Sequence, residues 1–278
     1  MDFPFHAAQM ALAAGNVKQL ATLLTAKPDL ATARSKVSHP TLLQCLVLTI
    51  PAVDSLEDLI DLLASHGAEL TDPLIAAAGL DNLRAIVKLL DLGAHIEGNG
   101  RWSPLEEALY WNHEQAVRLL LERGAKIKNL RTAAALGNLE RVAICFDDAG
   151  KLTEAAGEVS WPFGGEIPEA VRRDPQQIVG NALVYAAAWG QTETVDYLLN
   201  HGGQVNLIPA GFDFAGTPLH NAALQGRREM VDQLLHHGAN PGIRDTKIDK
   251  LAEDWAAHNR HQELAEHLNT VRERGQES

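Results

Sequence analysis

The stretch that decides the fold lies late in the chain, where residues 216–240 read GTPLHNAALQGRREMVDQLLHHGAN. Thr217 suits a helix cap, and Pro218 suits the first helical position, where an amide would have no partner inside the helix. Gly226 is placed to end this helix with a positive φ, and Gly238 is placed to end a second one. The apolar residues that the second helix turns inward are Met230, Val231, Leu234 and Leu235. The stretch predicts two short helices, which need neighbours for their stability.

The same frame recurs along the chain. Clear copies of it lie at residues 186–202, 103–125 and 75–94. Weaker copies lie at 11–24, 41–69 and 133–142, and a more polar last copy lies at 254–268. Segments that alternate apolar and polar residues as strands do are nearly absent. The sequence therefore predicts an all-α chain of eight helix pairs.

Residues 217–222 match the signature Thr-Pro-Leu-His-x-Ala of the ankyrin repeat, which has a period of about 33 residues. The chain resembles the ankyrin-repeat family along nearly its whole length. The resemblance implies an ankyrin-repeat solenoid of about eight helix-turn-helix units. We expect a single domain over residues 1–278, with a capping repeat at 245–274.

The spacing of the repeats is irregular near the centre of the chain. The step from Asn112 to Gly137 is 25 residues, so the connection between these two repeats is expected to be a tight turn. The next step, to Gly190, is 53 residues, which predicts one long inserted loop over residues 151–180. This insert either packs over the gap left by the shortened repeat or forms a recognition arm. Its aromatic residues include Trp161 and Phe163.

The chain is acidic, with 36 Asp and Glu against 24 Lys and Arg and a net charge of −12. This balance argues against nucleic-acid binding, which depends on clustered cations. Seven of the acids lie between Lys36 and Arg84, where the sequence has no Lys or Arg. They are Asp54, Glu57, Asp58, Asp61, Glu69, Asp72 and Asp81. They form either a solvated face or a surface that attracts a basic partner.

The two cysteines, Cys45 and Cys145, lie in apolar helical segments, so we expect both to be buried and reduced. The N-terminus lacks a basic region followed by a continuous apolar run, and no stretch approaches 18 apolar residues. We therefore expect no signal peptide, no membrane span and a cytoplasmic location. We also expect a monomer.

The 12 histidines do not form a metal-ligand or catalytic motif. The resemblance gives His220 a structural role, which is to hold the start of its helix through hydrogen bonds. The pair His258 and His261 is typical of surface polarity. We expect no enzyme activity, no cofactor and no metal site. A small-ligand binder or enzyme with a pocket under the 151–180 insert is the alternative.

The resemblance also implies a binding mode, because ankyrin proteins contact partners on their concave side through first helices and hairpin tips. The most variable contact positions are the two residues after the Ala-Ala step. Here they are Tyr110 with Trp111, Ala188 with Trp189, Leu224 with Gln225, and Ala257 with His258. Phe212 and Phe214, in the loop 207–215, are expected to project toward the same side.

We therefore predict a protein-binding surface, and its candidate residues are Tyr110, Trp111, Trp161, Phe163, Trp189, Phe212, Phe214, Gln225 and His258. Exposed tryptophans dominate interface energetics. In the other interpretation, Trp111 and Trp189 lie flat against neighbouring helices.

Overall fold

The computed structural model describes residues 3–35, 41–49, 53–100, 102–160, 166–213 and 215–276. Within these residues the regular structure is helical, apart from one antiparallel bridge between Phe146 and Leu152. The chain divides into two compact units, Met1–Lys126 and Ile127–Ser278. That the chain acts as a single domain stays a prediction.

The first unit contains four helix pairs. Its helices are α1 (Phe3–Ala13), α2 (Val17–Ala26), α3 (Leu42–Thr49), α4 (Leu56–Ser65), α5 (Thr71–Ala78), α6 (Leu83–Asp91), α7 (Pro104–Tyr110) and α8 (Glu114–Glu122). The first helices of the pairs pack against one another in the order α1, α3, α5, α7. The second helices pack in the order α2, α4, α6, α8, so the unit has a first-helix layer and a second-helix layer.

The second unit contains four more pairs and one extra helical turn. Its helices are α9 (Leu130–Ala135), α10 (Leu139–Ile144), α11 (Glu169–Arg172), α12 (Pro175–Trp189), α13 (Thr192–Asn200), α14 (Pro218–Leu224), α15 (Arg228–His236), α16 (Ala252–His258) and α17 (Gln262–Gln276). The first-helix layer runs α9, α12, α14, α16. The described residues thus confirm the all-α fold and the eight helix pairs.

A residue in the left-handed region separates the two helices in seven of the eight pairs, the α3–α4 connection being only partly described. These residues are Gly15, Asp81, Asn112, Gly137, Gly190, Gly226 and Arg260, with φ from 53° to 72°. Such a residue turns the chain sharply enough to return the second helix along the first. Asp81 has a further contact, since its Oδ1 accepts a hydrogen bond of 2.8 Å from the Ala116 amide in the first turn of α8.

Small residues allow the first helices to approach one another. Ala133 and Ala134 on α9, Ala186 and Ala187 on α12, and Ala222 and Ala223 on α14 are all buried. Cys45 and Cys145 are also buried, as predicted, and neither forms a disulfide; burial raises the pKa of both thiols.

The insert differs from the predicted loop 151–180. Helix α12 already begins at Pro175, with the Asp174 side chain accepting from the Gln176 amide, so residues 175–180 are helical. An Asp followed by Pro is a strong helix start, which explains the two extra turns of α12. The irregular segment therefore lies between α10 and α12, and it contains the Phe146–Leu152 bridge, a 3₁₀ turn at Glu154–Ala156 and α11.

The connection before the insert is short, as the spacing indicated. Residues 123–129 join α8 to α9, whereas the longer segment 92–103 joins α6 to α7. The shortening also affects the helices, since α9 and α10 have six residues each.

Candidate functional site

Two of the predicted contact residues lie at the end of α7. Tyr110 is its last residue and is half-buried, and Trp111 follows as the cap and is 46% exposed. Nearly half of the Trp111 side chain is therefore accessible to solvent. The indole is ordered by a hydrogen bond, since its Nε1–H donates to Glu107 Oε1 over 2.9 Å.

Glu107 connects a set of aromatic rings that we call the Trp102–Trp111 cluster: Trp102, Glu107, Tyr110 and Trp111. Trp102 Nε1–H donates to Glu107 Oε2 over 2.6 Å, so each carboxylate oxygen accepts one indole N–H. The Tyr110 ring lies 6.4 Å from Trp102 and 5.2 Å from Trp111, at interplanar angles of 74° and 78°. Burial raises the pKa of Glu107, although the two indole donors and His113 act to lower it.

The preceding helix pair makes room for this carboxylate. A Cβ on Gly79 would lie 2.7 Å from Glu107 Oε1, so a larger residue there would collide with the glutamate. His113 Nε2 lies 3.0 Å from the Gly79 carbonyl, which can only accept, so this nitrogen carries the proton. Leu80 precedes the left-handed Asp81 just as Trp111 precedes Asn112, and it is 48% exposed.

The second unit places its candidates at the same repeat position. Trp189 is the last residue of α12 and is half-buried, and Gln225 caps α14 and is half-buried as well. His258 ends α16 and is exposed. Because Arg260 is the left-handed residue of this pair, His258 and Asn259 occupy the two variable positions, one residue later than the predicted Ala257 and His258.

Phe212 packs inward rather than standing free. Its ring lies 5.4 Å from that of Tyr185 on α12, and the side chain is half-buried. The loop is tied to the same helix, since Ala210 donates its amide to Gln177 Oε1 over 2.8 Å and accepts from Asn181 Nδ2 over 3.0 Å. Phe214 lies outside the described residues.

The described residues of the insert pack against their own unit. Val159 is buried, and a Cβ on Gly211 would lie 2.8 Å from its Cγ1, so the insert contacts the 207–213 loop. Arg131 on α9 donates from Nη1 to the Glu158 carbonyl over 2.7 Å. These contacts favour the packing interpretation for this part of the insert. Trp161 and Phe163 lie outside the described residues, and the recognition arm and the pocket under the insert stay predictions.

The acidic run has local partners for most of its carboxylates. Glu57 pairs with Arg84 at 2.6 Å, and Asp61 pairs with Lys88 at 2.7 Å, each across successive second helices. Three others also make local hydrogen bonds: Asp81 to the Ala116 amide, Glu69 to the amides of Thr71 and Asp72, and Asp72 to Asn99. Five of the seven acids therefore contribute to the fold, which leaves Asp54 and Asp58 exposed.

His220 holds the start of α14. Its Nδ1 accepts from the Thr217 amide over 3.2 Å, and its Nε2 lies 3.2 Å from the Lys250 carbonyl in the next pair. Burial lowers the pKa of His220, in keeping with a neutral ring whose proton is on Nε2. Within the described residues, no three His, Cys, Asp or Glu side chains are close enough together to hold a metal ion.

Comparison with protein families agrees with this geometry. A family model described as ankyrin repeats in three copies matches residues 46–131 and 169–245, which is more than half of the chain. The protein belongs to the ankyrin-repeat family, whose members are generally protein–protein interaction modules. The unmatched interval 132–168 contains most of the shortened pair and the insert. No curated protein matches the chain.

No helix in the described part of the chain is both long enough and apolar enough to cross a lipid bilayer.

Proposed function

We propose that this protein is a non-catalytic interaction module that binds a protein partner through the ends of its first helices. One observation carries the proposal: the Trp111 indole is 46% exposed and yet held in place by Glu107. An exposed aromatic ring normally loses rotational freedom when a partner binds. Here the hydrogen bond has already restricted the ring, so less entropy is lost on association.

The same repeat position in the second unit supplies the other contacts that we propose. These are Trp189, Gln225 and His258, and the proposal also includes Phe212 and the insert between α10 and α12. Their exposure varies from half-buried to exposed, as expected of a surface that a partner covers. The proposal also includes Trp161, Phe163 and Phe214, on the basis of the sequence alone.

We further propose that the protein works as a monomer in the cytoplasm. The support for the compartment is that its two cysteines are buried and form no disulfide, since a reducing environment keeps thiols reduced. Light scattering on the purified chain measures the oligomeric state, and a dimer would contradict the proposal.

The test begins with capture of partners from an extract of the native source on the immobilised full chain. The partner is then titrated against the wild type, Trp111→Ala and Trp189→Ala. We expect Trp111→Ala to weaken binding about thirtyfold, as removal of a central interface tryptophan does. Leu92→Ala is the control, because Leu92 is also an exposed apolar residue of the first unit but caps α6 in the second-helix layer.

Unchanged affinity of the Trp111→Ala, Trp189→Ala double variant, with its circular dichroism spectrum intact, would show that the proposed surface is wrong.

A further inference from the structure

Glu107 differs from the acidic residues of its unit that form salt bridges. Glu57, Asp61 and Asp91 each form a salt bridge with an Arg or Lys of a neighbouring second helix. Glu107 lies instead in the first-helix layer, and among the described residues no Lys or Arg forms a salt bridge with it. Its hydrogen-bond donors are the two neutral indoles. Its carboxylate therefore has no full counter-charge from the part of the chain described here.

The surroundings of this carboxylate suit a cation. Two indoles donate to the Glu107 carboxylate, and the Tyr110 ring contacts both of them edge to face. Aromatic faces attract Lys and Arg side chains, most strongly where water is partly excluded. The burial that raises the pKa of Glu107 shows that water is partly excluded at its carboxylate.

The cluster is accessible from solvent at one side. Trp111 is 46% exposed and Tyr110 is half-buried, whereas Trp102 is buried. A long side chain has an aliphatic stem that packs on such apolar surfaces while its charged end reaches inward. Lys and Arg are the side chains of this shape.

We propose that the Trp102–Trp111 cluster binds a lysine or arginine side chain presented by the protein partner, with Glu107 supplying the opposite charge. The inference rests on the proposed function and adds the chemistry of the partner. The charge of the whole chain agrees with it, because a net charge of −12 favours association with a basic surface.

The experiment uses three small probes on the full chain: the Nα-acetyl methylamides of lysine, arginine and norleucine. Norleucine has the apolar stem of lysine without its charge. The signals followed are the indole N–H resonances of Trp102 and Trp111, assigned with Trp102→Phe and Trp111→Phe. We expect saturable shifts of both resonances with the two cationic probes and binding about tenfold weaker for norleucine.

The decisive variant is Glu107→Gln, which keeps the shape of the side chain and removes its charge. We expect it to weaken cation binding about tenfold. Asp58→Asn removes the same charge from an exposed carboxylate on α4, and its cation affinity should equal that of the wild type. Trp111→Leu keeps apolar bulk at an exposed position without an aromatic face, so it provides a second test if Glu107→Gln fails to fold.

Each outcome separates this inference from the proposed function. Equal affinity for norleucine, or equal cation affinity in the wild type, Glu107→Gln and Trp111→Leu, would overturn the cation site. If Trp111→Ala still abolished binding of the captured partner, the interaction module would stand with Trp111 as an apolar anchor. If Trp111→Ala left the affinity for the captured partner unchanged while the cationic probes still bound the wild type, the proposed partner-binding surface would be wrong. The cation site would then stand without it.

Discussion

Two helix pairs of the second unit, α14–α15 and α9–α10, show how differently one repeat can be built. Helices α14 and α15 have seven and nine residues, whereas α9 and α10 have six each. Both first helices bury two adjacent alanines and stack on α12. Their second helices differ, because α15 buries Met230, Val231 and Leu234 while α10 buries Val142 alone of its own residues. The first-helix layer is therefore the constant part, and the second-helix layer tolerates shortening.

The two pairs also begin differently. Thr217 and His220 hold the start of α14, and Asn129 and Thr132 do the same for α9, whose Thr132 amide donates to Asn129 Oδ1 over 3.0 Å. The same kind of helix start is thus stabilised by two different residue pairs, and only the pair of Thr217 and His220 belongs to the family signature. The match to the family is interrupted from residue 132 to residue 168, a range that contains most of α9 and all of α10.

The largest effect that we expect is a difference in unfolding free energy between variants of the two second helices, α15 and α10. Leu234→Ala removes a fully buried side chain from α15 and should lower the free energy of unfolding by about 2–5 kcal/mol. Ile144→Ala, at the end of α10, should change it by less than about 0.5 kcal/mol, because Ile144 is 51% exposed. Urea unfolding followed by circular dichroism measures both. Equal losses would contradict the view that α10 contributes less burial than α15.

A smaller effect concerns the two helix starts. His220→Ala leaves the Thr217 amide and the Lys250 carbonyl without their partner and should cost about 1–3 kcal/mol at pH 7.5. The cost depends on pH, since the folded pKa of His220 lies below its ordinary value of 6.5 and the unfolded chain takes up protons first. Wild-type stability should fall as the pH drops from 6.5 toward the folded pKa.

The variant lacks this titrating group, so the difference in unfolding free energy between it and the wild type should shrink over the same range. Urea unfolding at pH 7.5, 6.5 and 5.5 measures this difference. A constant difference would mean that His220 contributes no proton linkage. Asn129 and Thr132, which hold the start of α9, do not titrate and should add nothing to the slope.

The smallest effect concerns the bond that crosses from the irregular pair to its neighbour. Gln191 Nε2 donates to the Ala135 carbonyl over 3.0 Å, just as Arg227 donates to the Ala188 carbonyl in the next pair. Gln191→Ala should cost about 0.5–1.5 kcal/mol, measured as a shift in the urea midpoint. Gln262→Ala, at an exposed position of α17, is the control. A loss no larger than in the control would show that this junction does not depend on the bond.

Most of the fold could be predicted from the spacing of glycines and paired alanines, because the first-helix layer needs small residues and seven of the eight pairs have a described left-handed turn. The turns at Asp81 and Arg260 could not be predicted with the same certainty, since residues other than Gly and Asn rarely adopt positive φ. The sequence prediction places the end of the insert too late, because the repeat period predicts a first helix of ordinary length where the longer α12 lies. The capping signal at Asp174–Pro175 was present in the sequence and outweighed the period.

The candidate site was only partly predictable. The repeat position identified Trp111 but not Trp102 or Glu107, which precede the variable positions. The burial of Glu107 depends on Gly79, a residue of the preceding pair whose lack of a side chain leaves room for the carboxylate. Such a contact depends on stacking, and the spacing within one repeat contains no signal for it.

The bond between Gln191 and Ala135 also bears on how the second unit folds. It joins residues 56 apart in sequence, whereas the equivalent bond from His113 to Gly79 joins residues 34 apart. Closing the longer loop costs only about 0.4 kcal/mol more in chain entropy, because that entropy grows with the logarithm of loop length. Contacts of high sequence separation are slow to form, so α9–α10, whose short helices need α12 as a neighbour, should join after the pairs from α12 onward have stacked. We therefore expect the insert to add little to the equilibrium cost of closing this junction and to delay the step at which α9–α10 joins the stack.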